Sequence, residues 1–322
     1  MIIVIVSLLM NEEDEEKTLA LEVQVEGEAV LEAIYFGERL GYLSSYQMSP
    51  QLHHQSCLSI NSTIHDSTGL RVYAGCHVMI RFLVTYGDEL VRGKRVIEIG
   101  SGVGLLGLVG MSLTEPRMLV CTDGELEALC IIDKNIGILY RDEPLRRKST
   151  CSRQLLWGDE QMIADVLISP SSSSPCDPGS TSSCSRAFDV VIGCELMYYR
   201  TDIQSLVDTV LKLTGEGGMF VHGHLFRAPN QEQHLIQCLR VLGWDTMEVP
   251  VSEFIDAAEL GHHIEWYRVR CLVSAPSAVV SRLLASHSSW FVFEATSSHD
   301  AYGGHNDTHD EGDELHALFN IT

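Results

Sequence analysis

The sequence predicts an α/β protein built on a parallel sheet, and three observations carry that expectation. From Lys94 onward, short apolar runs alternate with stretches of helical periodicity, the pattern of successive βα units. The first of those runs ends in a glycine-rich turn that opens a helix. Hydrophobic residues make up 45 % of the 322 and charged residues 20 %, a globular balance that excludes wholesale disorder and collagen-like repeats. A chain of this length suits about two average domains or one large domain with extensions.

Taken in order, the chain opens on Met1 to Met10, almost entirely apolar and too short to span a bilayer. It lacks a basic start, and Glu12 to Glu16 follow at once, which is the wrong flank for a secretory signal. A buried first strand or an unstructured tail is expected there. Residues 11 to 70 are acidic and then mixed, with weak strand-like stretches such as Leu21 to Val25, and a helix is expected over Cys76 to Tyr86. Strands follow at Arg95–Ile99, Arg117–Thr122, Arg153–Trp157, Phe188–Ile192 and Gly218–His224, then at Trp244–Pro250 and His263–Val273. Helices are expected at Gly104–Leu113, Glu125–Gly137, Asp202–Leu213 and Gln231–Leu242. Residues 169–185, dominated by Ser, Pro and Gly, cannot bury a core and read as a disordered surface loop. After Val273 the chain becomes irregular, with one more strand conceivable at Trp290 to Ala295 and a solvated tail from Ser297.

Charge and cysteine usage narrow the classes. Lys and Arg total 22 against 44 Asp and Glu, a formal net charge of −22. Such acidity argues against gripping phosphate backbones over a broad surface and suits a partner that is itself basic. The ten cysteines are scattered with no C-x-x-C pair, and several lie in apolar runs. They read as reduced thiols of a cytoplasmic protein, with the nucleus a second location.

The chemistry is written first in Val96-Ile97-Glu98-Ile99-Gly100-Ser101-Gly102-Val103-Gly104-Leu105-Leu106-Gly107. Glycines let the backbone turn tightly and approach a ligand, and the following helix offers free N–H groups. Read from Gly102 the segment fits G-x-G-x-x-G, the fingerprint for NAD or FAD; read from Glu98 it fits E-x-G-x-G-x-G of S-adenosylmethionine enzymes. A carboxylate at the strand's end suits the cofactor's ammonium group and would repel a pyrophosphate, so Glu98 favours the second. Asp123 ends the next strand, where an acid bonds ribose hydroxyls under either reading or merely caps a helix. Leu155-Leu156-Trp157-Gly158-Asp159 places an indole that can pack on adenine and a carboxylate that can accept from its exocyclic amine. A core role is the plainer alternative for Trp157. Glu195 and Tyr198, three residues apart just past the strand ending in Gly193-Cys194, can share one pocket mouth, where a carboxylate and a phenol can orient an amine.

Together, E-x-G-x-G-x-G, Thr122-Asp123, L-L-W-G-D and F-D-V-V-I-G-C-E-L-M-Y, in this order, resemble the seven-β-strand methyltransferases of the lysine-specific protein group. The likeness takes in Thr68 to Tyr73 and runs to about Val273. It implies a Rossmann-like, doubly wound sheet of seven strands, mostly parallel, with the last strand antiparallel. It divides the chain into an N-terminal extension (1–67), a methyltransferase domain (68–274) and a C-terminal extension with an acidic, His-rich tail (275–322). By resemblance, Glu98, Gly100, Gly102 and Asp123 bind S-adenosylmethionine with Trp157 near its adenine, and Gly104, Asp159 and Cys194 complete the cofactor set. Glu195 and Tyr198 match the motif D-x-x-Y that holds the target lysine, with Glu in place of the usual Asp. A tryptophan is usual where Tyr73 stands.

The implied activity is methyl transfer to a lysine of a protein by a monomer free of membrane or nucleic acid. Competing readings are another acceptor (arginine, histidine, a small molecule or RNA), a dehydrogenase on the overlapping fingerprint, and a cofactor-binding protein without turnover. No metal site is expected: the tail residues His299, His305, His309 and His316 fit no ligand spacing. His222 and His224 share one strand face and read as strand-end histidines, and His262-His263 as the structural start of the last strand.

Overall fold

The computed structural model describes residues 2–10, 17–25, 28–31, 73–168 and 187–293. The Ser-rich segment, the acidic run after Met10 and the His-rich tail therefore lie outside the described residues. The apolar N-terminus is a strand, β1 (Ile2–Met10), paired antiparallel with β2 (Lys17–Val25), which pairs in turn with β3 (Glu28–Leu31).

The main sheet has eight strands. They are β4 (Arg95–Ile99), β5 (Met118–Asp123), β6 (Thr150–Gln154), β7 (Phe188–Cys194), β8 (Thr214–Leu225), β9 (Trp244–Val249), β10 (Val269–Pro276) and β11 (Phe291–Val292). Their order is β11-β9-β10-β8-β7-β4-β5-β6. The run from β8 to β6 is parallel, and β10 inserts antiparallel between β8 and β9. The seven strands foreseen are thus present with the last of them antiparallel, and β11 adds an eighth on β9.

Helices α1 (Ala74–Leu90), α2 (Leu105–Thr114) and α3 (Leu126–Leu139) cover one face, and α5 (Glu160–Ile168), α6 (Ile203–Leu213) and α7 (Pro229–Val241) the other; α4 (Pro144–Ser149) links α3 to β6. Alternation along each strand divides the core. Val96, Leu119, Val190 and Val221 pack toward α1 and α2, while Ile97, Ile99, Val120, Val191 and Phe220 pack toward α6 and α7. Every residue of β5 is buried, as expected of an interior strand covered on both faces.

Three expectations need correction. The strand placed at Arg153–Trp157 lies three residues earlier, at Thr150–Gln154. Leu155 still donates its N–H to the Asp123 carbonyl at 3.0 Å, after which the chain turns at Gly158 (φ 84°). The last long strand begins at Val269, not His263, because a short 3-10 helix, Ile264–Arg268, and the helix α8 (Ala257–His262) precede it. His263 stacks on Trp266 with ring centroids 4.1 Å apart. Finally, the chain is not irregular after Val273: α9 (Ser277–Ser286) follows β10 directly and buries Val279, Val280 and Leu283. An aromatic group of Phe82, Tyr86, Phe254, His287 and Trp290 then brings the chain back to β11, so the packed region reaches Phe293.

Candidate active site

A cavity of about 940 Å³ opens at the carboxyl ends of β4, β5 and β7, the edge where open α/β sheets bind ligands. The glycine-rich turn forms one wall. Gly100 and Gly102 have φ of 63° and 56°, in the left-handed region. A β-carbon on Gly100 would also come within 2.8 Å of Leu196 and 3.5 Å of the Trp157 ring, so this position needs glycine for two reasons. Gly102 N–H donates to Asp123 Oδ2 at 2.8 Å, and Glu125 N–H donates to Oδ1 at 3.0 Å. The Asp123 carboxylate thus fixes the turn while still facing the cavity.

Glu98 lies beneath the turn, 2 % exposed, accepting from Gly107 N–H at 3.2 Å. Burial pushes its carboxyl up to about 7, against the pull of bonds from Ser101, Gly107 and Cys121. A cationic ligand at this wall would favour its charged form. Trp157, held over the cavity by the Gly158 turn, is anchored through Gly158 N–H to Thr209 Oγ1 at 2.8 Å.

The opposite wall carries Cys194, Glu195, Leu196 and Tyr198. Glu195 sits at φ 55°, a strained conformation for a non-glycine residue. Its Oε1 accepts from Gly75 N–H at 3.2 Å and Leu225 N–H at 3.0 Å, and its Oε2 accepts from the Arg227 guanidinium at 2.9 Å. The extra methylene relative to aspartate gives the carboxylate that reach, from the end of β7 to the first turn of α1. Tyr198 is 41 % exposed at the mouth beside Tyr199 and Arg200. Burial and the neighbouring Glu98 and Glu195 carboxylates push the Cys76 and Cys194 thiols up, so both stay protonated.

The structure therefore brings together Glu98, Gly100, Gly102, Asp123, Trp157, Cys194, Glu195 and Tyr198 around one cavity. It leaves out two. Gly104 (φ 81°) precedes α2 with its α-carbon turned toward Ile132 and Leu108. Asp159 stands outside the lining and accepts from Met162 N–H at 2.9 Å, a bond that serves the start of α5. His222 and His224 also lie elsewhere: His222 stacks on Phe220 at 4.4 Å, and His224 bonds Glu232 of α7 at 2.6 Å. Sequence reasoning missed Cys76, Leu156, Arg200 and Arg227, which line the cavity from α1 and the loops after β6, β7 and β8. Nothing local marks them, since each is placed by the fold.

Residues 52–169 match a family model described as lysine methyltransferase. The match spans the glycine-rich turn, Asp123 and Trp157. Over that stretch, 118 of the 322 residues, the chain is similar to lysine methyltransferases. A calmodulin-lysine N-methyltransferase from Arabidopsis thaliana is 26 % identical over 148 residues, covering 46 % of this chain and 42 % of the relative. The chain thus spans less than half the length of that relative. Among solved structures, a methyltransferase from Pyrococcus furiosus (13 % identity, 62 % of this chain, 82 % of the other, TM-score 0.39) is similar. So is the ribosomal protein L11 methylase of Lactobacillus delbrueckii subsp. bulgaricus (14 %, 61 %, 77 %, TM-score 0.37). Likenesses of that size have no bearing on the site.

The cavity fits S-adenosylmethionine. Its wall offers a carboxylate for an ammonium group, a turn on which a side chain would intrude, an acid at the end of the second strand and an aromatic plane.

Proposed function

We propose that this chain methylates a lysine side chain of a protein, using S-adenosylmethionine. The observation that carries the reading is the single cavity joining Glu98 and the glycine-rich turn to Glu195 and Tyr198. In this reading Glu98 holds the cofactor's ammonium end, Gly100 and Gly102 admit its chain, Asp123 takes the ribose hydroxyls and Trp157 packs against the adenine, with Cys194 alongside. Bound, the cofactor supplies a sulfonium methyl group that is already an electrophile.

What remains for the protein is to present an uncharged amine in line and to keep water out. A free lysine amine has a pKa of about 10.4. A channel bounded by Tyr73, Leu196, Tyr198 and the neutral thiols of Cys76 and Cys194 lowers it by desolvation. Glu195 orients the amine and Tyr198 forms a hydrogen-bonding wall.

The partner in this reading is a protein presenting a lysine on a locally basic surface, approached by a monomer in the cytoplasm or nucleus. The acidic composition supports long-range steering toward it. The rim itself is mixed, with Glu125 and Asp202 against Arg200 and Arg227. The lysine activity of the Arabidopsis relative supports the acceptor class. The placement of Glu98 disfavours a dehydrogenase, and the charge disfavours a nucleic-acid acceptor.

Calorimetric titration tests the cofactor: binding of S-adenosylmethionine is expected, and NAD binding in its place would overturn the reading. Incubation of cell extract with methyl-labelled cofactor, followed by mass spectrometry, tests the acceptor. Labelled lysine that disappears in Glu195→Ala is expected. Label on arginine, histidine or RNA, or label undiminished in the variant, would sink the assignment.

A further inference from the structure

We infer that Arg227 is a positioning residue for the acceptor lysine, its guanidinium balancing the Glu195 carboxylate so that the amine reaches the site without its proton. The inference rests on the lysine reading above and assigns a role to a residue that no local motif marks.

Three observations carry it. Both oxygens of Glu195 are engaged, Oε1 by the backbone of Gly75 and Leu225 and Oε2 by Arg227 at 2.9 Å. The carboxylate side chain is 5 % exposed whereas Arg227 is 36 % exposed, so the arginine reaches in from the rim. The guanidinium also lies 5.5 Å from the centroid of the Tyr73 ring, which holds it over the cavity wall.

A bare, buried carboxylate would hold an incoming lysine as its ammonium, whose lone pair is occupied by a proton and cannot accept a methyl group. A cation already paired with that carboxylate cancels the field and repels the ammonium, which favours the neutral amine. Arginine suits the task because it does not give up its proton at any working pH.

Other ionisable groups facing this point come from several elements: Cys76 on α1, Glu98 on β4, Cys194 on β7 and Cys271 on β10, with Tyr198, Arg200 and Asp202 beyond β7. The three thiols are held protonated by burial. Glu98 lies at the cofactor end. Among the described residues, Arg227 is therefore the cation bonded to the acceptor carboxylate itself.

The test follows label transfer from methyl-labelled S-adenosylmethionine into lysine residues of heat-treated cell extract, between about pH 7 and pH 10. Wild type, Arg227→Gln and Arg227→Lys are compared at saturating cofactor. In Arg227→Gln the rising limb of the rate moves up by about one pH unit, a roughly tenfold deficit near neutrality that closes as the pH rises. Arg227→Lys keeps the limb of the wild type. Calorimetric affinity for S-adenosylmethionine and the melting temperature stay as in the wild type. A loss equal at every pH, or no loss, overturns the inference. Absence of lysine label from the wild type would instead overturn the lysine reading itself.

Discussion

The two ends of the cavity are assembled by different means. At the cofactor end, the contacts run between near neighbours in sequence: Glu98 with Gly107, Gly102 with Asp123, and Thr122 Oγ1 donating to the Glu98 carbonyl at 2.8 Å. At the acceptor end, Glu195 bonds a backbone N–H 120 residues earlier and two groups about 30 residues later. A single strand-turn-helix-strand unit, β4 to β5, can build the first almost alone. The second exists only once α1, β7 and β8 are packed together. Function at the two ends should accordingly fail in separable ways.

The sharpest separation comes from two glycines. Gly100→Ala adds a side chain in the left-handed region and against Leu196. Together these cost on the order of 3 kcal/mol, so S-adenosylmethionine affinity by calorimetry should fall about a hundredfold. Gly75→Ala strikes the other end, since its β-carbon would lie 2.4 Å from Glu195 Oε1. Displacing that carboxylate should slow lysine labelling roughly thirtyfold while leaving cofactor affinity within about twofold. Equal loss of cofactor binding in both variants would erase the distinction.

Glu98 gives the cofactor end its own pH signature. A carboxyl near 7 must ionise to meet an ammonium group, so affinity for S-adenosylmethionine should rise about tenfold between pH 6 and pH 8, and Glu98→Gln should flatten that rise. The sign for stability is opposite. With its native value raised above the ordinary carboxylate range, Glu98 favours folding at low pH and loses that contribution as the pH rises through 7. Without cofactor, Glu98→Gln should therefore gain melting temperature relative to wild type from pH 5 to pH 8. The smallest effect is expected at the rim: Tyr198→Phe removes one hydroxyl from a half-exposed ring and should cost labelling about fivefold at most.

The same contrast explains what could be read from the sequence. Val96 to Gly107 announces itself because strand, turn and helix follow one another with every glycine in place. The loop after β6 was harder. Leu155 and Trp157 are as apolar as strand residues, so the strand was expected three residues too late. Asp159 looked like a ligand to adenine but serves the start of α5. The conceivable strand at Trp290 to Ala295 stands as the short β11, whereas α9 has no local mark, because the chain after Val273 finds its partners in β9 and β10 and, through Trp290, in Phe82 and Tyr86 of α1, some two hundred residues away. Arg227 was invisible for the same reason. An arginine after a strand is ordinarily a solvated side chain, and only the approach of β7 sets Glu195 before it.

By itself, then, the sequence determined the α/β class, the succession of the main strands along the chain, the glycine turn with its acid at either side, and the Glu195–Tyr198 pair. These are consequences of periodicity and local backbone geometry, which act over a few residues. The tertiary structure alone decided that Gly104 turns away from the cavity, that Glu195 is tied to Gly75 and Leu225, and that a guanidinium shares its carboxylate. Those outcomes depend on which strand and helix ends a packed sheet brings within hydrogen-bond reach, and no spacing along the chain encodes that.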